Sequence, residues 1–329
     1  MMRRRMKIAL VTLAAGIVVL LAGFAAADFE LNNLSTGGEL MARTYVSQGE
    51  RVRTIYVSDL DANVEITPST DGRARVTCEE NEAFCYDITE EDGVLRIEKR
   101  DLRGWNLGMY FGFWPESTLT VEVPAGALLN VETESGDIHM MGSDEGPAYY
   151  IVKLYSDNGD VHLEHVRAGE GGDETASPHA ESDAMGDVQP GEITVETNTG
   201  DIAIEDADIS FLSAMTDNGA VTLRDIRAEG VFATARNDTI RMEGIATGSL
   251  IASSANGDVL FSEVEVAEHI ILLAGNGNIR GELPGEMRDY HIESETDNGD
   301  NNLPAMLDGE GIFLRVINDN GDIDVTFAG

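Results

Sequence analysis

The chain has 329 residues, with 60 acidic and 22 basic side chains and a formal net charge of −38 at pH 7. Such an acidic surface repels nucleic acid and anionic lipid, which argues against partners of either kind, and it favours cations. The simplest explanation of the acidity is solubility in a salty or calcium-containing exterior. The two cysteines have no Cys-x2-Cys spacing, so nothing indicates redox catalysis.

Residues 1–27 have the pattern of a targeting segment. Basic residues cluster in Arg3–Lys7, an uncharged run of 20 residues follows from Ile8 to Ala27, and the run ends in three alanines. This order fits a cleaved signal peptide, and the run is also long enough to remain as a membrane anchor. Either alternative predicts an extracytoplasmic body, anchored to the membrane or secreted, at the cell surface.

The next two regions differ in composition. Residues 28–40 are polar and contain glycine, which predicts a stalk. Residues 41–125 predict an irregular, β-rich N-terminal cap for a β-solenoid that the repeats of residues 126–329 predict. The uncovered end of such a solenoid would expose unpaired strand groups. Its strands are expected at Val52–Val57, Ala62–Thr67, Arg73–Thr77, Val94–Lys99 and Thr118–Val123.

The two cysteines, Cys78 and Cys85, lie in this cap region. They flank an acidic stretch that predicts a turn between strands at Arg73–Thr77 and Tyr86–Thr89. An oxidising exterior permits a disulfide across that hairpin. The alternative is a pair of free, partly buried thiols.

Residues 104–115 are the most aromatic part of the chain and contain both tryptophans. An exposed segment of this kind would bind sugar rings, a protein partner or the membrane surface. A buried one would plug the end of the solenoid core, which is the preferred interpretation because large exposed aromatic patches are uncommon. The candidate binding residues are Trp105, Tyr110, Phe111, Phe113 and Trp114.

A turn tripeptide recurs from residue 135 to residue 322. Its centres are 19–23 residues apart, except for one step of 41. A fixed period near 20 residues indicates stacked coils. The Asn-Gly pair predicts a tight turn in which both central residues adopt positive φ. The copies are Ser135-Gly136-Asp137, Asn158-Gly159-Asp160, Thr199-Gly200-Asp201, Asn218-Gly219-Ala220, Asn237-Asp238-Thr239, Asn256-Gly257-Asp258, Asn276-Gly277-Asn278, Asn298-Gly299-Asp300 and Asn320-Gly321-Asp322.

Apolar residues alternate with other residues on both sides of each turn, as in a strand with one buried face. Ile202 and Ile204, for example, follow the turn centre by two and four residues, and a third inward position such as Ile226 follows by seven. The predicted fold is therefore all-β: a β-solenoid over residues 126–329, with about nine or ten coils of 19–23 residues.

Two features interrupt this regular pattern. Residues 169–191 are rich in glycine, acid, serine and proline, which predicts a flexible insertion and explains the long step as one or two interrupted periods. The last strand, Asp324–Phe327, has no cap after it. We expect an uncovered pairing edge there, with self-association through the solenoid ends as its consequence.

Six aspartates follow the turn centre and would line up along one edge of the rod. Carboxylates stacked about 5 Å apart repel one another unless a cation or a donor lies between them. A row of weak Ca²⁺ sites is one hypothesis. The preferred one is that each aspartate accepts hydrogen bonds from its own turn backbone, with no cofactor. The set is Asp137, Asp160, Asp201, Asp258, Asp300 and Asp322.

Two histidines, His139 and His162, occupy the same outward position on successive coils, with His165 nearby. Stacked imidazoles can hold a divalent transition metal, and ordinary polar side chains on a solvated strand face explain them as well. The chain contains no Gly-x-Ser-x-Gly, His-Glu-x-x-His or phosphate-loop motif. It is therefore predicted not to be an enzyme, and a polysaccharide-active enzyme is the less favoured alternative.

The order of the motifs resembles the putative-adhesin domain family of bacterial surface proteins. The matching segments are Tyr56–Ile66, Glu91–Ile97, Leu119–Pro124 and the repeated Gly-Asp-Ile turns, and the resemblance covers about residues 50–329. It implies a non-catalytic, membrane-anchored β-solenoid that contacts a protein or glycan as an adhesin. It equally allows a sensing or regulatory module that binds a partner in its own envelope. The insertion and the Asn237-Asp238-Thr239 turn depart from the pattern.

Overall fold

A computed structural model describes residues 13, 16–23, 25, 40–49, 51–81, 83–102, 117–143, 149–169, 190–309 and 311–329. Residues 16–23 are helical, and within the described part of the chain no helix combines the length and apolar character needed to cross a bilayer. From residue 40 onward the described residues form a β-solenoid, which confirms the predicted fold class. Most of the stalk, the aromatic segment and most of the insertion lie outside the described residues.

Each coil contributes one strand that approaches the turn and one that leaves it, and these stack into two parallel arrays, the approach sheet and the departure sheet. The N-terminal strands are β1 (Met41–Val46), β2 (Thr54–Asp59), β3 (Asn63–Pro68), β4 (Arg75–Glu80), β5 (Phe84–Glu91), β6 (Val94–Asp101) and β7 (Thr118–Val123). The central strands are β8 (Leu128–Ser135), β9 (Ile138–Met141), β10 (Ile151–Asn158), β11 (Val161–Arg167), β12 (Glu192–Thr199), β13 (Ile202–Asp208), β14 (Phe211–Asn218), β15 (Val221–Ala235), β16 (Ile240–Ser254) and β17 (Val259–Ala274). The last strands are β18 (Ile279–Pro284), β19 (Tyr290–Asn298), β20 (Met306–Leu307), β21 (Ile312–Asn320) and β22 (Ile323–Ala328), with a 3-10 turn at Met287–Asp289.

In-register stacking of the inward residues forms one continuous core. In the approach sheet Leu154 lies between Val131 and Val195, and all three are buried. The 41-residue step adds no extra coil, because β10 pairs directly with β12 and β11 with β13. The step is thus one period with an insertion. Strands β15, β16 and β17 each run from the departure sheet round a corner into the approach sheet of the next coil.

The N-terminal end of the stack does not follow chain order. Strand β2 lies between β6 and β8, and β3 lies between β7 and β9. The first coil in the sequence is therefore enclosed by coils formed later in the chain. Antiparallel β1, β4 and β5 cover the end beyond them. Part of the region predicted as an irregular cap is thus parallel solenoid.

The C-terminal end is arranged in a related way, and the pairing edge predicted at Asp324–Phe327 is covered only in part. Strand β21 lies between β17 and β19, and β22 pairs with β18 while Ile323 also bridges Asn301. The outermost approach strand is β19, whose other side pairs in part with antiparallel β20. Enclosing β21 pairs its backbone on both sides, whereas on the second side of β22 the Asn302 side chain accepts the Val325 N–H and donates to the Val325 carbonyl. Self-association through the ends stays a prediction.

The predicted cysteine hairpin is also wrong. Strand β4 pairs with β1 and β7, whereas β5 pairs with β6, so the two cysteine strands do not form a ladder with each other. Cys78 points into the core, and Cys85 alternates with the buried Phe84 and Tyr86 and so faces the other way. Both are free thiols, and burial raises the pKa of Cys78 to about 11.

The glycines of the turns are required by close packing between coils, and only Gly200, Gly299 and Gly321 among them also have positive φ. Among the described residues, the non-glycine positions with left-handed φ are Asp92, His165, Asp206, Asp225 and Glu263, none of them a turn asparagine. A Cβ atom at Gly219 would lie 2.0 Å from the Gly200 carbonyl oxygen of the neighbouring coil. The predicted turn geometry is wrong because the stacked coils, and not the turn alone, select glycine.

Candidate functional site

The six predicted aspartates form a column along the turns. The Asp160 N–H donates to Asp137 Oδ1 at 2.9 Å, and the Asp201 N–H donates to Asp160 Oδ1 at 2.7 Å. Asp201, Asp258 and Asp322 accept backbone N–H groups of adjacent coils in the same way. The preferred hypothesis, in which the donor belongs to the aspartate's own turn, is therefore wrong, because each of these donors belongs to an adjacent coil. The calcium hypothesis stays a prediction.

The degenerate turn at Asn237-Asp238-Thr239 continues the aspartate column with an acceptor from within the same turn. Ala220, in the preceding coil, offers no carboxylate to the N–H of Thr239. The Asp238 side chain accepts that N–H instead, at 2.7 Å. Asp238 replaces the glycine found at the centre of the other turns, and its side chain supplies the acceptor that Ala220 of the preceding coil lacks.

Turn asparagines form a second column that the sequence reading did not identify. The Asn256 side-chain amide donates to Asn237 Oδ1 at 2.8 Å and its own Oδ1 accepts from Asn276 at 2.9 Å. The same donation runs from Asn298 to Asn320, from Asn320 to Asn276 and from Asn237 to Asn218. The recurrence of asparagine one residue before the turn centre was the available signal.

A third column consists of hydroxyls three residues before the turn centre. Thr197 Oγ1 donates to the Gly159 carbonyl at 3.1 Å and Thr216 Oγ1 to the Gly200 carbonyl at 3.0 Å. Together the three columns pair many polar groups of the turns with one another between coils, whereas Thr133 Oγ1 and Asn318 Oδ1, at the position of the third column, have no hydrogen-bond partner among the described residues. We therefore assign them chiefly to stability, since buried and stacked polar groups need such partners.

The structure brings His139 and His162 together as register partners in β9 and β11. Their ring centroids are 5.3 Å apart, and His162 Nε2 lies 2.6 Å from Glu164 Oε1. His165 is directed elsewhere, with Nδ1 at 2.6 Å from Asp206 Oδ2. The aromatic candidates Trp105, Tyr110, Phe111, Phe113 and Trp114 lie outside the described residues, so their role stays a prediction.

The outward face of the approach sheet carries apolar side chains across five coils. Phe232, Ile251 and Ile271 are direct register partners on β15, β16 and β17. Phe211 and Phe232 are 41% and 37% exposed, and the other members are half-buried. We call this surface the approach stripe and define it as Phe211, Met215, Phe232, Ile251, Ile271, Leu273 and Ile317.

The Phe211 ring is accommodated by Gly230 in the next coil, because a Cβ atom there would lie 2.9 Å from Phe211 Cδ1. The stripe is not predicted from the sequence, because the periodic signal of a solenoid lies in the inward positions of each coil. Its signal is an apolar residue six positions before the turn centre in three successive coils, at Phe232, Ile251 and Ile271. Alternation predicts polar residues there.

The outward face of the departure sheet is charged in the same coils. Arg224 lies between Glu205 at 2.6 Å and Glu243 at 3.4 Å, forming an ion-pair ladder on the surface. At the adjoining corner, Asp206 has left-handed φ and contacts His165 and Arg167. The hydrogen bond with His165, followed by that with Arg167, lowers the pKa of Asp206 although desolvation opposes it.

Comparison with protein families gives one match, the model described as Toastrack DUF4097, which aligns with residues 52–326. The match runs from the residues just before β2 to the last strand and so includes both enclosed coils. The chain belongs to the Toastrack family. No curated protein matches this Toastrack chain in sequence.

Three solved structures resemble the Toastrack chain at low identity. An adhesin described as putative from Bacteroides fragilis NCTC 9343 is 12% identical, with 89% of this chain and 99% of that chain covered and a TM-score of 0.45. One from Parabacteroides merdae ATCC 43184 is 12% identical, with 89% and 97% covered and a TM-score of 0.47. One from Parabacteroides distasonis ATCC 8503 is 13% identical, with 87% and 97% covered and a TM-score of 0.44. Membership of the family rests on the match to its model.

Proposed function

We propose that this Toastrack protein is an exported, membrane-tethered and non-catalytic rod that presents a protein-contact surface outside the cell, as an adhesin does. The N-terminal basic and apolar segment supports export and tethering. The approach stripe is the proposed contact. It is the single observation that carries the proposal.

The stripe is unusual for this molecule because the chain carries a net charge of −38 and yet leaves a run of apolar side chains on one face. Contiguous exposed apolar surface on a soluble domain marks sites of interaction. The side chains belong to a rigid, fully paired sheet, so little ordering entropy is lost on binding. These properties suit recognition more than catalysis.

The composition of the stripe favours a protein partner over a glycan. Four of its seven members are Ile251, Ile271, Leu273 and Ile317, which are aliphatic and cannot stack on sugar rings as aromatic side chains do. The net charge opposes a second copy of the same chain, since like charges repel, and it favours a partner with a basic rim. The partner we propose is therefore an apolar protein surface bordered by Lys and Arg.

The alternative role, a sensing or regulatory module, uses the same surface but a partner in the producing cell's own envelope. A polysaccharide-active enzyme would instead show turnover of a glycan, lost when one or two acids are replaced. Neither the stripe nor the polar columns require a reaction.

The test is crosslinking capture with the full-length protein against two sets of baits: the producer's envelope and a panel of foreign surface proteins and glycans. The informative variant is Phe232→Asn/Ile271→Asn, which removes apolar surface without changing charge. The matched control is Leu260→Asn, an outward apolar residue of the departure sheet.

We expect a protein to be captured by the wild type and by the control, and lost by the double variant. A foreign protein supports adhesion, and an envelope protein supports the sensing role. Capture that survives in the double variant would remove the stripe from the contact. Capture of glycan alone, or no capture above background, would overturn the proposal.

A further inference from the structure

Away from the approach stripe, three side chains on the departure sheet have the composition of a transition-metal site. His139 lies on β9, and His162 and Glu164 lie on β11 of the next coil. One ligand atom from each of these three residues lies within 4.8 Å of the other two. His139 is exposed, and the other two side chains are half-buried, so all three are within reach of solvent ions.

The backbone holds the three residues in place. His139 and His162 are direct partners in the parallel register, and the residues on either side of them, Ile138 with Val161 and Met140 with Leu163, are buried. The two imidazoles therefore project from adjacent strands of a fixed sheet. Glu164 follows His162 by two residues and so projects from the same face.

The geometry needs only a small adjustment to close around an ion. Zn²⁺ with bonds of about 2.1 Å in tetrahedral geometry requires ligand atoms about 3.4 Å apart. His162 Nε2 and Glu164 Oε1, which a hydrogen bond holds 2.6 Å apart, would separate by about 0.8 Å to reach that spacing. Rotation of the exposed His139 ring can bring its nitrogen closer. A metal would replace the proton shared by His162 and Glu164.

The donor set decides which metal. Two imidazole nitrogens and one carboxylate oxygen suit Zn²⁺, Cu²⁺ or Ni²⁺, whereas Ca²⁺ takes oxygen ligands only. The neighbouring group of His165 and Asp206 differs, because the Arg167 guanidinium lies 3.0 Å from Asp206 and already neutralises that carboxylate. The acidic surface as a whole raises the local concentration of cations.

We propose that His139, His162 and Glu164 bind one divalent transition-metal ion, of which Zn²⁺ is the probe, across two adjacent coils. Three protein ligands leave a fourth position open on the surface. A water molecule, or a side chain of a protein bound to this face, completes the coordination. The site lies on the departure sheet, so it is independent of the stripe and of the proposed partner.

The experiment is calorimetric titration of the full-length protein in detergent with Zn²⁺, with the visible absorption of bound Co²⁺ as a second readout. The variants are His139→Gln and His162→Gln, with Glu164→Gln to test the carboxylate. The matched controls are His269→Gln and His291→Gln, whose rings lie against Phe313 in the approach sheet. Circular dichroism checks that each variant keeps its fold.

We expect saturable binding of one ion per chain that millimolar Ca²⁺ does not displace, and a loss of affinity of about tenfold or more in each site variant. The two controls should bind as the wild type does. Equal affinity in site variants and controls would overturn the proposal. So would displacement of Zn²⁺ by Ca²⁺, which would point to the aspartate column, or the absence of saturable binding.

Discussion

The two sheets of this solenoid have the same inward pattern and opposite outward faces. In the coils around β14–β17, the approach sheet exposes Phe232 and Ile271, whereas the departure sheet exposes the ladder of Glu205, Arg224 and Glu243. Folding requires only that the inward residues stack, which both sheets achieve. The outward face is thus free to vary, and the difference between the two faces is the basis of the contact surface proposed above.

The strongest test of this contrast uses adjacent residues of one strand. Leu272 is fully buried and Ile271 faces outward in the stripe. We expect Leu272→Ala to lower the free energy of unfolding by about 3 kcal/mol, because it leaves a cavity in the core. Ile271→Ala should cost about 1 kcal/mol or less. Chemical denaturation measures both, and equal losses would mean that the stripe is part of the core.

Each turn joins a strand of the approach sheet to a strand of the departure sheet, so a substitution in a turn should destabilise both sheets. Gly219→Ala places a Cβ atom against the Gly200 carbonyl of the adjacent coil. We expect the free energy of unfolding to fall by about 2 kcal/mol as the coils are forced apart. Gly169→Ala is the control, because no atom of the described residues lies within 4 Å of its added Cβ, and it should stay within about 0.5 kcal/mol of wild type. If Gly219→Ala leaves the free energy of unfolding unchanged, the turns can move apart enough to accommodate the added Cβ atom, and close packing does not require glycine there.

The asparagine column should contribute less per residue. Asn256→Ala removes one hydrogen bond donated to Asn237 and one accepted from Asn276. Exposed amide hydrogen bonds of this kind contribute about 1 kcal/mol in all. Asn130→Ala, whose amide makes one 3.4 Å contact with Glu132 on the outward face, should have almost no effect. Thermal melting of the two variants compares them, and a larger loss in Asn130→Ala would contradict the column.

The smallest effect expected is the contribution of Asp206, on the departure side, to the pH dependence of stability. Because the pKa of Asp206 is lowered from its ordinary 3.8, the ionised form is favoured in the folded state. Its contribution to stability is present above pH 3.8 and is lost as the pH falls through the lowered pKa. Asp206→Asn tolerates the left-handed φ and should flatten this acid limb of the melting curve.

Phe232→Asn is the control for the pH dependence, since it changes the approach face only. Its melting temperature should follow pH as that of the wild type does. If both variants flatten the acid limb equally, or if neither does, the contacts of Asp206 with His165 and Arg167 do not stabilise the corner.

Much of the fold can be predicted from the sequence, because the alternation of inward and outward residues along a strand is a local property. The positions of Ile202, Ile204 and Ile226 relative to their turns identify the inward face without knowledge of any neighbour. The match of His139 with His162 follows from the same counting, since equal positions in successive coils become register partners. The insertion at 169–191 was recognisable by composition, although its end points needed the pairing of β10 with β12.

The remaining features depend on which coil lies beside which, and spacing does not encode that. Enclosure of β2–β3 and of β21 brings together strands that are distant in the chain, and it places β21 before β19 in the stack. Tertiary contacts also decide three further features: the need for glycine in each turn, the partners of the turn asparagines, and the contact of Glu164 with His162. Period two assigns a residue to a face, whereas nonlocal backbone pairing selects the neighbours that make that face a core, a ladder or a binding surface.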